Sequence, residues 1–331
     1  MCSSICELGQ LGTPQVYFRT HNLLTSGDGT PALKWGSSNA YTEDAKGNPV
    51  YDWTIVDRIF DTYKERGLRP YVQVGFMPKA LSSKPEPYAH EWRPGLPYSR
   101  IYTGWAHPPK DYAKWAELVF QWVKHCVLKY GKAEVESWYW EIWNEANIAY
   151  WQGTPDEFRK LHDYSVDAVR RALPTARVGG PDFAGGGTPL LRDFLEHVAR
   201  GKNHVTSKTG TPTDFLAFHA KGAPRYLENH VQMGIAKQLK DIDNAFAIVA
   251  SFPELKPKPI VETVERTSAG EGVRVQTTYE AEKTDEAEQF GRPGAGLRFF
   301  PHFVLASSEY DKEYLDQVIP AALEPIRQRE F

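Results

Sequence analysis

The 331-residue chain sets 39 basic against 42 acidic side chains, a formal net charge of −3, and is 41% hydrophobic and 24% charged. That length suits one large domain or two ordinary ones, with apolar content enough for a sizeable core. A slightly acidic total argues against nucleic acid as a partner, and no run of about 20 apolar residues is present to span a membrane.

The deviation is aromatic: 10 Trp, 17 Tyr and 16 Phe make 13% of the chain. Core filling accounts for many of them, but flat rings also suit the C–H faces of sugars. Cys2, Cys6 and Cys126 are odd in number and lack zinc spacing, so they read as free thiols, with Cys126 buried on a helix. No metal site and no cofactor motif is expected. The opening "MCSSICELGQLGTPQ" has no basic region followed by an apolar stretch, which makes a cytoplasmic location the default expectation.

In chain order, "VYFRTH" (16–21) reads as a buried strand. A helix follows, with Ile55, Val56, Ile59, Phe60 and Tyr63 at helical spacing and Gly67 as its stop. "PYVQVGF" (70–76) is the next strand. A second helix carries Tyr112, Trp115, Val119, Trp122, Val123, Cys126 and Tyr130 on one stripe and closes at Gly131. After the strand "SWYWEIW" (137–143), Thr154-Pro155-Asp156-Glu157 opens a third helix, with Thr as N-cap and Glu at the third position. "ARVGGP" (176–181), "FLAFHA" (215–220) and "KPIVE" (258–262) are strands, and helices are predicted over 188–200 and 231–249.

Repeated β-then-α order predicts an α/β fold with a parallel sheet and outer helices. An open doubly wound sheet needs a phosphate-binding glycine turn early in the chain. Neither "GDG" after the first strand nor "AGGG" (184–187) nor "GRPGAG" (291–296) supplies one. Arg19, His21, Phe76, Asn144, Glu145, His219 and Glu262 instead recur at the C-terminal ends of strands, where a (β/α)8 TIM-type barrel gathers its active site. Residues 1–262 are therefore read as the barrel and 263–331 as a divergent C-terminal segment without a clear eighth strand. The barrel is expected to be incomplete at its first and last strands.

The segment "SWYWEIWNEANIAYW" (137–151) surrounds Asn144 and Glu145 with Trp and Tyr. Strand alternation loosens at its end, so both residues can turn into the mouth. A carboxyl among aromatic rings is partly desolvated, which favours its protonated form and suits a general acid. Glycosidic cleavage needs a second carboxylate, about 5–5.5 Å away in a retaining enzyme and about 6.5–9.5 Å away in an inverting one. Glu262 at the end of "KPIVE" is the first candidate and Glu265 the fallback. The plainer alternatives are a salt-bridged glutamate at one strand end and a solvated one at the other.

"EIWNEANIAYWQGT" closely resembles the acid/base segment of clan A glycoside hydrolases, above all family 39, the β-xylosidase and α-L-iduronidase family. "YFRTHNLLTSGDG", "YDWTIVDRIFDTYKERGLRPYVQVGFMP" and "DFLAFHAKG" extend the resemblance, which covers roughly residues 11 to 261. It implies a (β/α)8 barrel and a retaining double displacement on a carbohydrate substrate. Glu145 would be the acid/base, Asn144 would bond the sugar 2-hydroxyl, and Arg19 would steady the nucleophile. His21 and His219 would line the pocket, and Trp105 and Trp151 are candidate sugar platforms or packing residues.

Two departures stand out. The family nucleophile falls about five residues after the proline of the seventh strand, which is Glu262 counted from Pro257 but Val264 counted from Pro259, and the text after Val261 does not resemble the family's continuation. The family's first strand and accessory β-sandwich are also not matched, as in a truncated or aberrant copy. Three readings follow: a retaining β-xylosidase-like hydrolase, a non-catalytic carbohydrate-binding relic, or an aldolase or isomerase using Glu145 as base. The last would want a Schiff-base lysine or a metal cluster, neither of which is clearly written.

Overall fold

The computed structural model describes residues 17–27, 38–88, 102–185, 189–220, 225–227, 230–232, 235–255 and 260–262, the strands 225–227, 230–232 and 260–262 by backbone alone. Cys2, Cys6, Glu265 and the segment 263–331 lie outside the described residues. The strands are β1 (Tyr17–Arg19), β2 (Tyr41–Glu43), β3 (Pro49–Tyr51), β4 (Arg69–Val74), β5 (Tyr139–Ile142), β6 (Arg177–Ala184), β7 (Phe215–His219), β8 (Arg225–Leu227), β9 (His230–Gln232) and β10 (Ile260–Glu262). The helices are α1 (Thr54–Glu65), α2 (Tyr112–Tyr130), α3 (Lys132–Glu136), α4 (Pro155–Ala172), α5 (Pro189–Arg200) and α6 (Ile235–Ala250).

One sheet runs in the order β1-β4-β5-β6-β7-β10, with every pairing parallel. Each of its strands coincides with one of those read from the sequence. The sheet curls, because Arg19 on β1 forms an ion pair with Asp182 on β6, a strand that is not its neighbour. This is an incomplete (β/α)8 barrel with its helices outside. Two antiparallel hairpins, β2–β3 and β8–β9, and the short α3 are additions that the long sequence periods do not reveal.

Alternation along the strands sorts the side chains between the barrel interior and the helices. Tyr71, Tyr139, Phe215 and Ala217 form a small interior cluster with Tyr17 against it. Its ring centroids lie 5.3 Å apart for Tyr71–Tyr139 and 5.2 Å for Tyr139–Phe215. Two residues further along come Arg19, Gln73 and Glu141, so the aromatic layer gives way at once to a polar one. Gly179 shares the interior with this layer: a Cβ there would fall 2.2 Å from the Phe215 carbonyl oxygen, so a larger residue is excluded.

The other strand faces carry Val72, Val74, Trp140 and Ile142 into the main core, where they meet Trp115, Val119, Trp122, Val123 and Cys126 of α2. Trp122 packs edge-on to Trp140 with centroids 5.6 Å apart. The helix boundaries follow their sequence signals. Asp111 caps α2 by accepting from Ala113 N at 2.9 Å and Lys114 N at 3.0 Å. At α4, Thr154 Oγ1 accepts from Glu157 N at 3.2 Å while Glu157 Oε2 accepts from Thr154 N at 2.8 Å, the reciprocal box predicted for this start. Gly67 and Gly131 end α1 and α2 at φ of 70° and 90°, a region open to glycine at no steric cost. Among the described residues no helix is long and apolar enough to cross a membrane.

The connection from α5 to β7 is held by one buried carboxylate on α4. Asp163 accepts from His204 N at 2.8 Å and Thr211 Oγ1 at 2.5 Å, and lies 3.0 Å from His197 Nε2 and 2.9 Å from His204 Nδ1. Burial pushes this carboxyl up, but the donors from His197, Thr211 and the His204 backbone outweigh it and hold it down at about 2. Such a group adds stability above the ordinary carboxylate range, and the contribution is lost as pH falls through about 2. Asp163→Asn, which turns a donor towards these donors, is expected to cost about 3 kcal/mol in urea unfolding at pH 7. The gap from the unmodified protein should narrow as the same measurement is carried towards pH 2.

Candidate active site

The mouth of the barrel is built where three neighbouring strands end. After β5, Trp143 and Glu145 adopt positive φ, 70° and 48°. For side chains other than glycine each costs about 1–2 kcal/mol. These two residues are why the alternation breaks. Trp140 and Ile142 still face the helices, Trp143 stays buried against Phe76, Trp115 and Trp151, and both Asn144 and Glu145 are freed to reach the interior network.

That network centres on Arg19, which is 3% exposed. Its Nε donates to Glu141 Oε2 at 2.6 Å, and its Nη2 donates to Asn144 Oδ1 at 2.9 Å and to Asp182 Oδ2. Tyr71 donates to the other Glu141 oxygen at 2.9 Å. Burial works against the guanidinium charge, but Asp182 and Glu141 more than offset it and keep Arg19 protonated. Two buried carboxyl groups therefore share one cation. Burial above all, with the charge of Asp182 added, pushes Glu141 up to about 8 against the pull of Arg19. Glu141 thus favours its protonated form at neutral pH.

Glu145, 2% exposed, lies next to this network. Its Oε1 is 2.7 Å from His219 Nδ1, and the other nitrogen of that ring is 2.7 Å from Asp182 Oδ2. The Glu145 N–H donates to the Asp182 carbonyl at 2.9 Å. Arg19, Asn144, Glu145 and His219, all expected at the site, are thus brought into one chain of contacts. His21 is part of the same wall, with its Nδ1 3.1 Å from Gln73 Oε1 and its ring 5.4 Å from that of Phe76.

Glu262 ends β10 in register with Phe218, one residue before His219 on the neighbouring strand. The two tryptophans are packing residues in the main. Trp105 is sealed at 1% exposure against Phe76 and Tyr150. Trp151, at 7%, donates to Thr154 O at 2.9 Å and shows an edge to a cavity of about 210 Å³ lined also by Asn147 and Phe183.

Four polar residues join the site that the sequence reading did not assign: Glu141, Asp182, Gln73 and Asn22. Glu141 and Gln73 could have been found from alternation alone, since each lies two residues after an interior tyrosine. Among the described residues Asn144 Nδ2, Gln73 Nε2 and both side-chain polar atoms of Asn22 are buried without a hydrogen-bond partner. Buried amides without partners carry a desolvation cost that hydroxyl groups of a ligand could relieve.

A further His/carboxylate group, Asp163, His197 and His204, has the donor chemistry of a zinc site. Its carboxylate is already filled by the donors that pin the α5–β7 connection, which makes it a structural clasp.

The glycosyl hydrolases family 39 model matches residues 17–287. The chain belongs to this family. It is 34% identical over 209 residues to a beta-xylosidase of Geobacillus stearothermophilus, covering 62% of this chain and 36% of that protein. With an alpha-L-iduronidase of Mus musculus it shares 28% over 154 residues, 44% of this chain and 23% of the relative. The structure of the GH39 enzyme from Xanthomonas axonopodis pv. citri aligns with a TM-score of 0.59 at 25% identity, covering 81% of this chain and 48% of that one. The family 39 chain described here thus spans less than half the length of each of these proteins.

A raised carboxyl fixes the sign of a pH effect in this family 39 barrel. Glu141 binds its proton more tightly folded than unfolded, so its contribution is complete below the ordinary glutamate value of 4.5 and is lost as pH rises through about 8. Glu141→Gln removes that loss. Thermal unfolding of the two proteins should run together near pH 5 and separate in favour of Glu141→Gln between pH 7 and 9.

Proposed function

We propose that this chain hydrolyses a β-xyloside or a closely related β-glycoside with retention of configuration, Glu145 serving as acid/base and Glu262 as nucleophile. The observation that carries the reading is the pairing of Glu145, one oxygen held by His219, with the buried and unpartnered Nδ2 of Asn144 beside it. An amide donor adjacent to a carboxyl acid is the arrangement that a sugar hydroxyl and its glycosidic oxygen require together. The beta-xylosidase and alpha-L-iduronidase relatives support the substrate class.

In the first step the Glu262 carboxylate bonds to the anomeric carbon while the glycosidic C–O bond breaks. Its electron pair leaves with the departing oxygen, which takes the proton of Glu145. In the second step Glu145, now ionised, takes a proton from water as the water oxygen displaces Glu262. Asn144 donates to the 2-hydroxyl, an interaction that strengthens as positive charge develops on the ring. Arg19 orients that amide by holding its oxygen, and His21 lines the wall. The aromatic packing of Trp143, Trp151 and Phe76 behind the carboxyl excludes water and strengthens each of these electrostatic contacts.

Glu145→Ala is expected to slow hydrolysis of an aryl β-xyloside by about 10²–10⁴-fold; unchanged turnover removes Glu145 from the mechanism. Glu262→Gly should lose hydrolysis and regain turnover with azide, giving the α-configured glycosyl azide because azide enters from the vacated face. Rescue of Glu265→Gly in place of Glu262→Gly moves the nucleophile to Glu265. Sugar binding without turnover on any glycoside favours the non-catalytic carbohydrate-binding reading.

A further inference from the structure

Asp182 arises from an irregularity in β6. The register of β6 against β7 shifts between Pro181 and Phe183, so one residue is left over at that point. The extra residue is Asp182, at φ 54° and with no exposed surface. A bulge of this kind re-aims a side chain, and the strain it stores points to a use. Here it directs a carboxylate into the barrel, between Arg19 and His219.

The same residue meets Glu145 by two routes. Its carbonyl accepts the Glu145 N–H at 2.9 Å, which fixes the backbone from which the acid projects. Its carboxylate lies 2.7 Å from His219 Nε2, and His219 Nδ1 lies 2.7 Å from Glu145 Oε1. A neutral imidazole has one N–H. Nε2 is the nitrogen beside the carboxylate that is ion-paired with Arg19, which favours placing that proton there. The lone pair at Nδ1 then faces a carboxyl oxygen, a contact that is attractive only if one further proton lies between them.

Resting on the acid/base reading of Glu145, we propose that Asp182 is a positioning residue that fixes the orientation and protonation of His219 and so keeps the acid proton in the His219–Glu145 pair. Among the described side chains, the charged and titratable groups in this network are Arg19 on β1, Tyr71 on β4, Glu141 on β5 and Asp182 on β6. Arg19 is the fixed cation among them, and Asp182 is the anion in contact with the ring. Removing its charge lets the shared proton leave at lower pH. Arg19 keeps a counter-ion meanwhile, because Glu141 ionises once Asp182 no longer opposes it.

Asp182→Asn tests this, since Asn tolerates positive φ and keeps the side-chain shape. The alkaline limb of kcat/KM should move down by about one pH unit. A phenyl β-xyloside, whose leaving group needs a proton, should slow by about 10- to 100-fold, and 2,4-dinitrophenyl β-xyloside far less. An equal loss on both substrates with an unmoved limb overturns the proposal. Imidazole 15N NMR gives a readout that needs no turnover. His219 Nε2 should carry a proton in the unmodified protein and lose it in Asp182→Ala, with Nδ1 protonated instead; an unaltered pattern overturns the proposal. If the unmodified protein hydrolyses neither substrate, the hydrolase reading fails by itself, and the NMR result still decides the arrangement.

Discussion

One buried guanidinium organises this barrel. Arg19 comes from a strand of three residues, yet it touches side chains from β5, from the loop after it and from β6. Desolvating a charge costs several kcal/mol unless its partners are well placed, and removing one partner of a buried pair costs about 3–5 kcal/mol. The strands that supply Glu141, Asn144 and Asp182 are therefore held to positions that satisfy Arg19. Because two carboxylates answer one cation, the interior also stores a proton, on Glu141.

The strain in the mouth follows from that demand. Trp143, Glu145 and Asp182 all lie at positive φ on adjacent strand ends, and none is glycine. Regular strands would have placed Glu145 and Asp182 by alternation, one in and one out of register with the ligand space. The local cost is offset by the aromatic mass around them, since each buried ring removes about 150–250 Å² from water. Trp105, Trp115, Trp140 and Trp143 are all essentially inaccessible. The dense aromatic text around Asn144 is thus chiefly the foundation under the acid and only at one edge, that of Trp151, a surface.

Much of this was legible in the sequence. Period-two alternation in "VYFRTH", "PYVQVGF" and "FLAFHA" writes both faces of the sheet, and the Thr154 box and Gly131 write helix ends. Asn144, Glu145, Arg19 and His219 were found because polar residues at strand ends are conspicuous in apolar runs. Asp182 was missed because "ARVGGP" reads as a strand that stops at its proline, whereas β6 continues through a bulge to Ala184. Bulges follow from pairing with a neighbour, and a single strand's text does not contain its neighbour. Glu141 was readable as interior but not as protonated, since that depends on Asp182, which is 41 positions away in the chain. The hairpin β2–β3 was overlooked for its length, although Asp44, Gly47 and Asn48 supply turn chemistry between its short strands.

The aromatic layer of Tyr71, Tyr139 and Phe215 beneath the charged residues has one more consequence. Among the described residues it packs rings beneath Arg19, which is itself buried. Added salt will weaken pairs on the rim of the molecule, such as Lys129 with Asp61, within a screening length of about 8 Å at physiological strength. The buried pairs of Arg19 with Glu141 and Asp182 will be screened far less.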